Sequence, residues 1–146
     1  MKKFITYLCV LSLALVGCKN KNNSETLKCS MEKEEASNNI VQTLEANFEQ
    51  DKVISINMKI QTLLNEKYVP YIDSFVTQME EQFSNYKDKK GITSNVYQDE
   101  SSVTISISFN INNLDEETKN ELGFIDANDT YENAKKSLEK SGYTCK

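Results

Sequence analysis

Over most of the first half of the chain, apolar and polar residues alternate with a period of two, the spacing of a strand with one buried and one wet face. Leu27 to Met31 forms a short candidate strand. A second runs from Ile40 to Phe48, with Ile40, Leu44, Ala46 and Phe48 on one side. After the turn residues Glu49, Gln50, Asp51 and Lys52, a third strand sets Ile54, Ile56, Met58 and Ile60 against Ser55, Asn57, Lys59 and Gln61.

Between Glu66 and Lys89 the period becomes helical. Tyr68, Ile72, Phe75, Val76, Met79, Phe83 and Tyr86 fall on one stripe, which predicts an amphipathic helix laid on the sheet. Pro70 belongs in or before its first turn, because deeper in the helix it would delete a backbone hydrogen bond. Lys89, Lys90 and Gly91 suit its end. A hairpin follows, from Ile92 to Tyr97 and from Ser102 to Ile111. In its second strand Val103, Ile105, Ile107, Phe109 and Ile111 alternate with Thr104, Ser106, Ser108 and Asn110. Burying each of those five side chains contributes about 1.5–3 kcal/mol before conformational entropy is deducted, so this strand is expected inside the sheet. Short helices are expected over Asp115–Leu122 and Tyr131–Lys140, the latter capped by Asp129 and Glu132 and stopped by Gly142. The expectation is one α+β domain over 27–146. It has an antiparallel sheet of about five strands (meander plus hairpin), one long amphipathic helix and two short C-terminal helices.

The first residues follow a different logic. Lys2 and Lys3 precede an apolar run from Phe4 to Val16 that is too short for a bilayer-spanning helix, which needs about 20 such residues. Residues 1–17 therefore read as an export signal. The run ends in Leu15-Val16-Gly17-Cys18, which resembles the lipobox of bacterial lipoproteins, where a thiol takes the lipid before cleavage. Cys18 is thus the expected lipidation site, carrying fatty-acyl chains such as palmitate, and residues 18–26, polar and without periodicity, read as a lipidated flexible tether. The expected destination is the extracytoplasmic face of the cell membrane.

Charge narrows the partners. The chain carries 17 basic and 22 acidic residues, a net charge of −5, and loss of Lys2 and Lys3 makes it −7. Such a domain has no electrostatic footprint for nucleic acid. All the basic residues are lysine, so the bidentate arginine fork is missing. The sequence also has no histidine, which removes most zinc sites and every Ser-His or Cys-His pair. No cofactor is expected. Of four cysteines, Cys9 leaves with the signal and Cys18 takes lipid. Cys29 and Cys145 are then expected to form a disulfide in an oxidising compartment. A redox-active pair is the competing reading, but such pairs usually sit as C-x-x-C near a helix start.

The order of elements, the lipobox, the Leu27-Lys28-Cys29 and the Gly142-Tyr143-Thr144-Cys145 together resemble a family of small, functionally uncharacterised bacterial lipoproteins typified by YehR. The resemblance implies a single α+β domain on a lipid anchor, and the two cysteines match the pair in the Gram-positive-like members. It brings no catalytic residue with it.

The remaining candidates for chemistry each have a plainer role. Asp126, Asn128, Asp129 and Glu132 are oxygen-rich enough for calcium, but an EF-hand wants Gly and Glu where Tyr131 and Ser137 stand, and helix capping explains them. Glu80 with Glu81, and Glu116 with Glu117, are adjacent on helices and point apart. The aromatic stripe of Tyr68, Phe75, Phe83 and Tyr86 suits a core, or a small-molecule groove between helix and sheet. The polar face of Asn57, Gln61, Thr104, Ser106 and Ser108 suits solvent, or a glycan or protein strand. Two function classes follow. The first is a non-enzymatic, membrane-anchored envelope domain that binds a protein, polymer or small ligand. The alternative is a small surface hydrolase that uses carboxylates alone on glycans.

Overall fold

The structure, a computed structural model, describes residues 24–122 and 129–146. Six strands form one antiparallel sheet: β1 (Ser24–Glu34), β2 (Asn38–Glu49), β3 (Lys52–Leu64), β4 (Ile92–Gln98), β5 (Ser102–Asn110) and β6 (Thr144–Cys145). Their order across the sheet is β4-β5-β3-β2-β1-β6. Three α-helices complete the domain: α1 (Ile72–Phe83), α2 (Glu116–Leu122) and α3 (Tyr131–Lys140). The sixth strand is the difference from the sequence reading. It is two residues long, too short to show a period, and it exists because Cys145 pairs with Cys29 and Thr144 with Ser30. β1 also begins at Ser24, inside the segment read as tether.

The first three strands form a meander. Gln50 and Asp51 join β2 to β3 at φ 50° and 66°, the left-handed pair that a tight primed hairpin turn requires. Phe48 then pairs with Val53 but Asn47 with Ser55, which leaves Ile54 as the extra residue of a β-bulge. The bulge reverses parity over one step. Val53 enters the core at 3% exposure, whereas Ile54, expected there, is half-buried. From Ile56 onward the alternation holds.

The long helical stretch is divided. Pro70 lies in a single 3-10 turn (Val69–Tyr71) before α1, and a second such turn (Ser84–Tyr86) follows it. The helix is therefore shorter than its apolar stripe. Gly91, at φ +86°, immediately precedes β4 beside the Asn110 carbonyl, 3.0 Å from where a Cβ would stand. β5 lies between β4 and β3, as its alternation requires, and ends at Asn110; Ile111 begins a 3-10 turn.

α1 and α3 both pack on one face of the sheet. Met79, Phe83 and Tyr86 lean on the core from the α1 side, and Ala134 and Leu138 of α3 are buried in it. Between them pack Leu27, Leu44, Ala46, Phe48, Ile56, Ile105, Ile107 and Phe109. Phe48 meets the Tyr131 ring edge to face, with centroids 5.5 Å apart. Thr130, not Asp129, caps α3: its side-chain oxygen accepts from the Asn133 amide at 3.4 Å. A hydroxyl one residue closer to the first turn reaches the free amide without help from Glu132.

Candidate binding surface

Because the helices occupy one face of the sheet, the other is left open, and its register aligns polar side chains in rows. One row is Lys28, Glu45, Asn57 and Ser108; the next is Ser30, Thr43, Lys59 and Ser106. Thr144 and Lys146 extend these rows past β1. Together they line a depression of about 550 Å³ whose floor is strand backbone, including that of Leu44, Met58 and Ile107. The side chains of those three residues turn to the opposite face, by the alternation of a pleated strand.

Side-chain hydrogen bonds fix both ends of this trough. At one end the Thr26 hydroxyl donates to Asn47 Oδ1 at 2.8 Å, and Asn47 Nδ2 donates to Ser55 Oγ at 2.9 Å. At the other, Gln61 Nε2 donates to Ser102 Oγ at 3.4 Å, and that hydroxyl donates to Asp99 at 2.7 Å. In the middle, Lys28 pairs with Glu45 at 3.1 Å, while Lys59 has no ion-pair partner among the described residues. The surface thus offers hydroxyl and amide groups of both hydrogen-bonding senses, with the ammonium groups of Lys59 and Lys146, neither in an ion pair among the described residues, beside them.

The side chains of this surface can donate and accept hydrogen bonds. Glu45 is the one carboxylate side chain lining the trough and it is held by Lys28, so the two facing carboxylates of a glycosidase are not brought together there. Glu80 and Glu81 are exposed on α1, and Glu116 is paired with Lys119 at 2.6 Å. Among the described residues no group of three or more His, Cys, Asp or Glu is disposed to hold a metal. Asp126 and Asn128 lie outside the described residues. The aromatic stripe is half-buried, with Phe83 and Tyr86 packed against the core.

Of the polar face expected from sequence, Asn57, Ser106 and Ser108 line the trough. Gln61 and Thr104 pair with each other further along the same face, and Thr104 is buried. Lys28, Ser30, Thr43, Glu45 and Lys59 were not singled out. Their parity was legible in each strand, but only the register brings them into rows.

Displaced titration marks structural joints. The Ser101 amide, then the hydroxyl and amide of Ser102, hold the Asp99 carboxyl below its usual range at the hairpin turn. The Thr118 amide does the same for Asp115 at the start of α2. A hydrogen bond to Glu121 raises Lys89. Burial raises the Tyr143 hydroxyl, which donates to Gln42 Oε1 at 2.7 Å.

Cys29 and Cys145 are bonded, with Cα atoms 4.1 Å apart. They face each other directly, and the Lys146 amide donates to the Lys28 carbonyl beside them at 2.9 Å. The bond therefore spans a non-hydrogen-bonded pair, the closer of the two antiparallel pairings.

The fold and surface define a class: an α+β domain with one six-stranded antiparallel sheet, helices on one face and an open polar trough on the other. Two solved structures are similar to it. One is the NMR structure of a Streptococcus pneumoniae TIGR4 protein, 14% identical, covering 86% of this chain and 87% of that one at a TM-score of 0.52. The other is the NMR structure of the E. coli YehR protein, 12% identical, covering 84% of this chain and 92% of that one at a TM-score of 0.55. At these identities the likeness is one of fold, and the fold is YehR-like. No protein-family model matches the sequence, and no curated protein is similar enough to count as a relative.

Proposed function

We propose that this chain is an exported lipoprotein, held at the extracytoplasmic face of the cell membrane through Cys18, whose domain binds an envelope ligand on its open sheet face and catalyses nothing. The observation that carries this reading is the trough itself. A face with fixed polar ends, rows of hydroxyls and amides and two unpaired lysines is built for directional hydrogen bonding. The lipobox-like Leu15-Val16-Gly17-Cys18 supports the anchor. Among the described residues no helix is long and apolar enough to cross a membrane.

Two measurements test the two halves. Labelling cells with a radioactive fatty acid should mark the protein and not its Cys18→Ser variant; label on the variant overturns the anchor. For binding, isotope-labelled Cys18→Ser protein is titrated with solubilised envelope polymers. Amide shifts at Asn57, Lys59, Ser106 and Ser108, lost in Lys59→Ala/Asn57→Ala, support the surface. Shifts confined to the helical face refute it.

A further inference from the structure

The two edges of the sheet are treated in opposite ways. A free edge is a template for another strand, and proteins usually protect it with charge, proline, bulges or a covering segment. The β1 edge has such protection: Glu25, Lys28, Glu32, Lys33 and Glu34 line it, and β6 is fastened over its middle by the disulfide. The β4 edge has none. Its sequence, Ile-Thr-Ser-Asn-Val-Tyr-Gln, contains no charge, proline or glycine, and its register with β5 runs without a bulge.

Hydrogen-bond parity says which groups that edge offers. The Asn110 amide donates to the Gly91 carbonyl at 2.7 Å, and the Asp99 amide to the Ser102 carbonyl at 3.0 Å. By alternation Thr93, Asn95 and Tyr97 turn their backbone groups toward β5, whereas Ile92, Ser94, Val96 and Gln98 turn theirs outward. The Ile92 amide is used by the Lys89 carbonyl. No described segment pairs with Ser94, Val96 or Gln98 on the outer side.

We propose that β4 pairs with β4 of a second copy of this chain, antiparallel about a two-fold axis at Asn95, joining two sheets into one. This register overlaps all of β4 and places Ser94 opposite Val96, both with outward amides and carbonyls. Thr93 then faces Tyr97, a β-branched residue against an aromatic ring that is 57% exposed in the single chain.

Charge selects a copy of the same chain. A protein of net charge −5 repels itself over most of its surface, but β4 and its neighbour β5 carry no charged residue. Carried past the strand ends, the register sets Glu100 of one copy opposite Lys90 of the other, twice by symmetry. Both are exposed, and neither has an ion-pair partner among the described residues. The helix beside the seam is also unfinished. α1 lies over β4 and β5, yet Ile72, Phe75, Val76, Met79 and Phe83 are all only half-buried. A two-fold perpendicular to the sheet brings the second α1 to the same side of the seam, and it turns both polar troughs the same way.

Cross-linking in membranes of cells expressing the full chain tests the register. The Cα atoms of a directly opposed non-hydrogen-bonded pair lie about 4.5 Å apart, within disulfide reach. Asn95→Cys should therefore give an oxidised dimer well above the wild-type background. Thr93→Cys alone should stay at background, and Thr93→Cys co-expressed with Tyr97→Cys should cross-link. Sedimentation of the detergent-solubilised wild-type chain gives the mass without any variant. Glu100→Lys should weaken the dimer by about five- to tenfold through two reversed pairs, and Lys90→Glu in the same chain should restore it. A wild-type monomer at tens of micromolar, Asn95→Cys dimer no greater than Thr93→Cys dimer, or Asn95→Cys joined to a different protein each overturns the proposal.

Discussion

Removing the bond between Cys29 and Cys145 measures how much of the stability depends on closing β6 over β1. The variant is Cys29→Ala/Cys145→Ala. Apart from the bond, the tail is held by the Lys146 amide on the Lys28 carbonyl and the Tyr143 hydroxyl on Gln42. α3 keeps Ala134 and Leu138 in the core whether or not the bond exists, so the variant should still fold. In the chain-entropy description, a link across 116 residues restricts the unfolded chain by an amount worth about 5 kcal/mol at 25 °C. The small void left at Cys29, which is 3% exposed, adds about 1 kcal/mol. Domains of this kind have roughly 5–15 kcal/mol in total, so the loss is a third or more. Urea denaturation followed by circular dichroism reads it. With a slope of about 2 kcal/mol per molar, the midpoint should fall by about 3 M. A fall under about 0.5 M at unchanged slope would refute the reasoning, because the unfolded chain would then gain little freedom from losing the link.

Val53→Ala should cost about 2 kcal/mol and Ile54→Ala under about 1 kcal/mol by the same denaturation assay, the reverse of what side-chain size alone suggests; equal costs would remove the bulge from the account. Gly91→Ala should lower stability by about 1–3 kcal/mol, because its φ is positive and the new Cβ meets the Asn110 carbonyl at 3.0 Å. The Asp99 carboxyl, held down by the Ser101 and Ser102 groups, should titrate below its ordinary 3.8 in an NMR pH series. Its contribution to stability is complete above that ordinary value and is lost as the pH falls through the lower folded one. Asp99→Asn should flatten that part of the acid-unfolding curve, and an unchanged curve would assign the acid sensitivity elsewhere.

The elements whose signal is local were legible in the sequence. β5 announces itself through the alternating Val103, Ile105, Ile107 and Phe109, and Pro70 and Gly91 bracket α1 by backbone chemistry that needs no tertiary context. The failures share a cause. Ile54 and Val53 are equally apolar, and which one enters the core depends on a turn whose two residues are Gln50 and Asp51, neither the glycine that usually signals such a turn. β6 has two residues and owes its pairing to a partner 116 positions away. The α3 cap went to Thr130 because both it and Asp129 are competent, and only the approach of the chain chooses between them. The trough was half legible. Ser106 and Ser108 follow from alternation in β5, but Lys59 and Thr43 join them only through cross-strand register, which no single segment encodes.

The disulfide also determines how the domain carries mechanical load. Tension applied at Ser24 and Lys146 runs along five residues of β1 to Cys29, crosses the sulfur bridge to Cys145 and leaves, so the covalent path bypasses everything between. Strands β2 to β5, the helices and the trough residues between Cys29 and Cys145 lie in a closed loop that bears no force. Oxidised, the protein pulled at these points would extend by a few residues and then stop. Reduced, the same pull would have to be borne by β-sheet hydrogen bonds, and the trough would open with them.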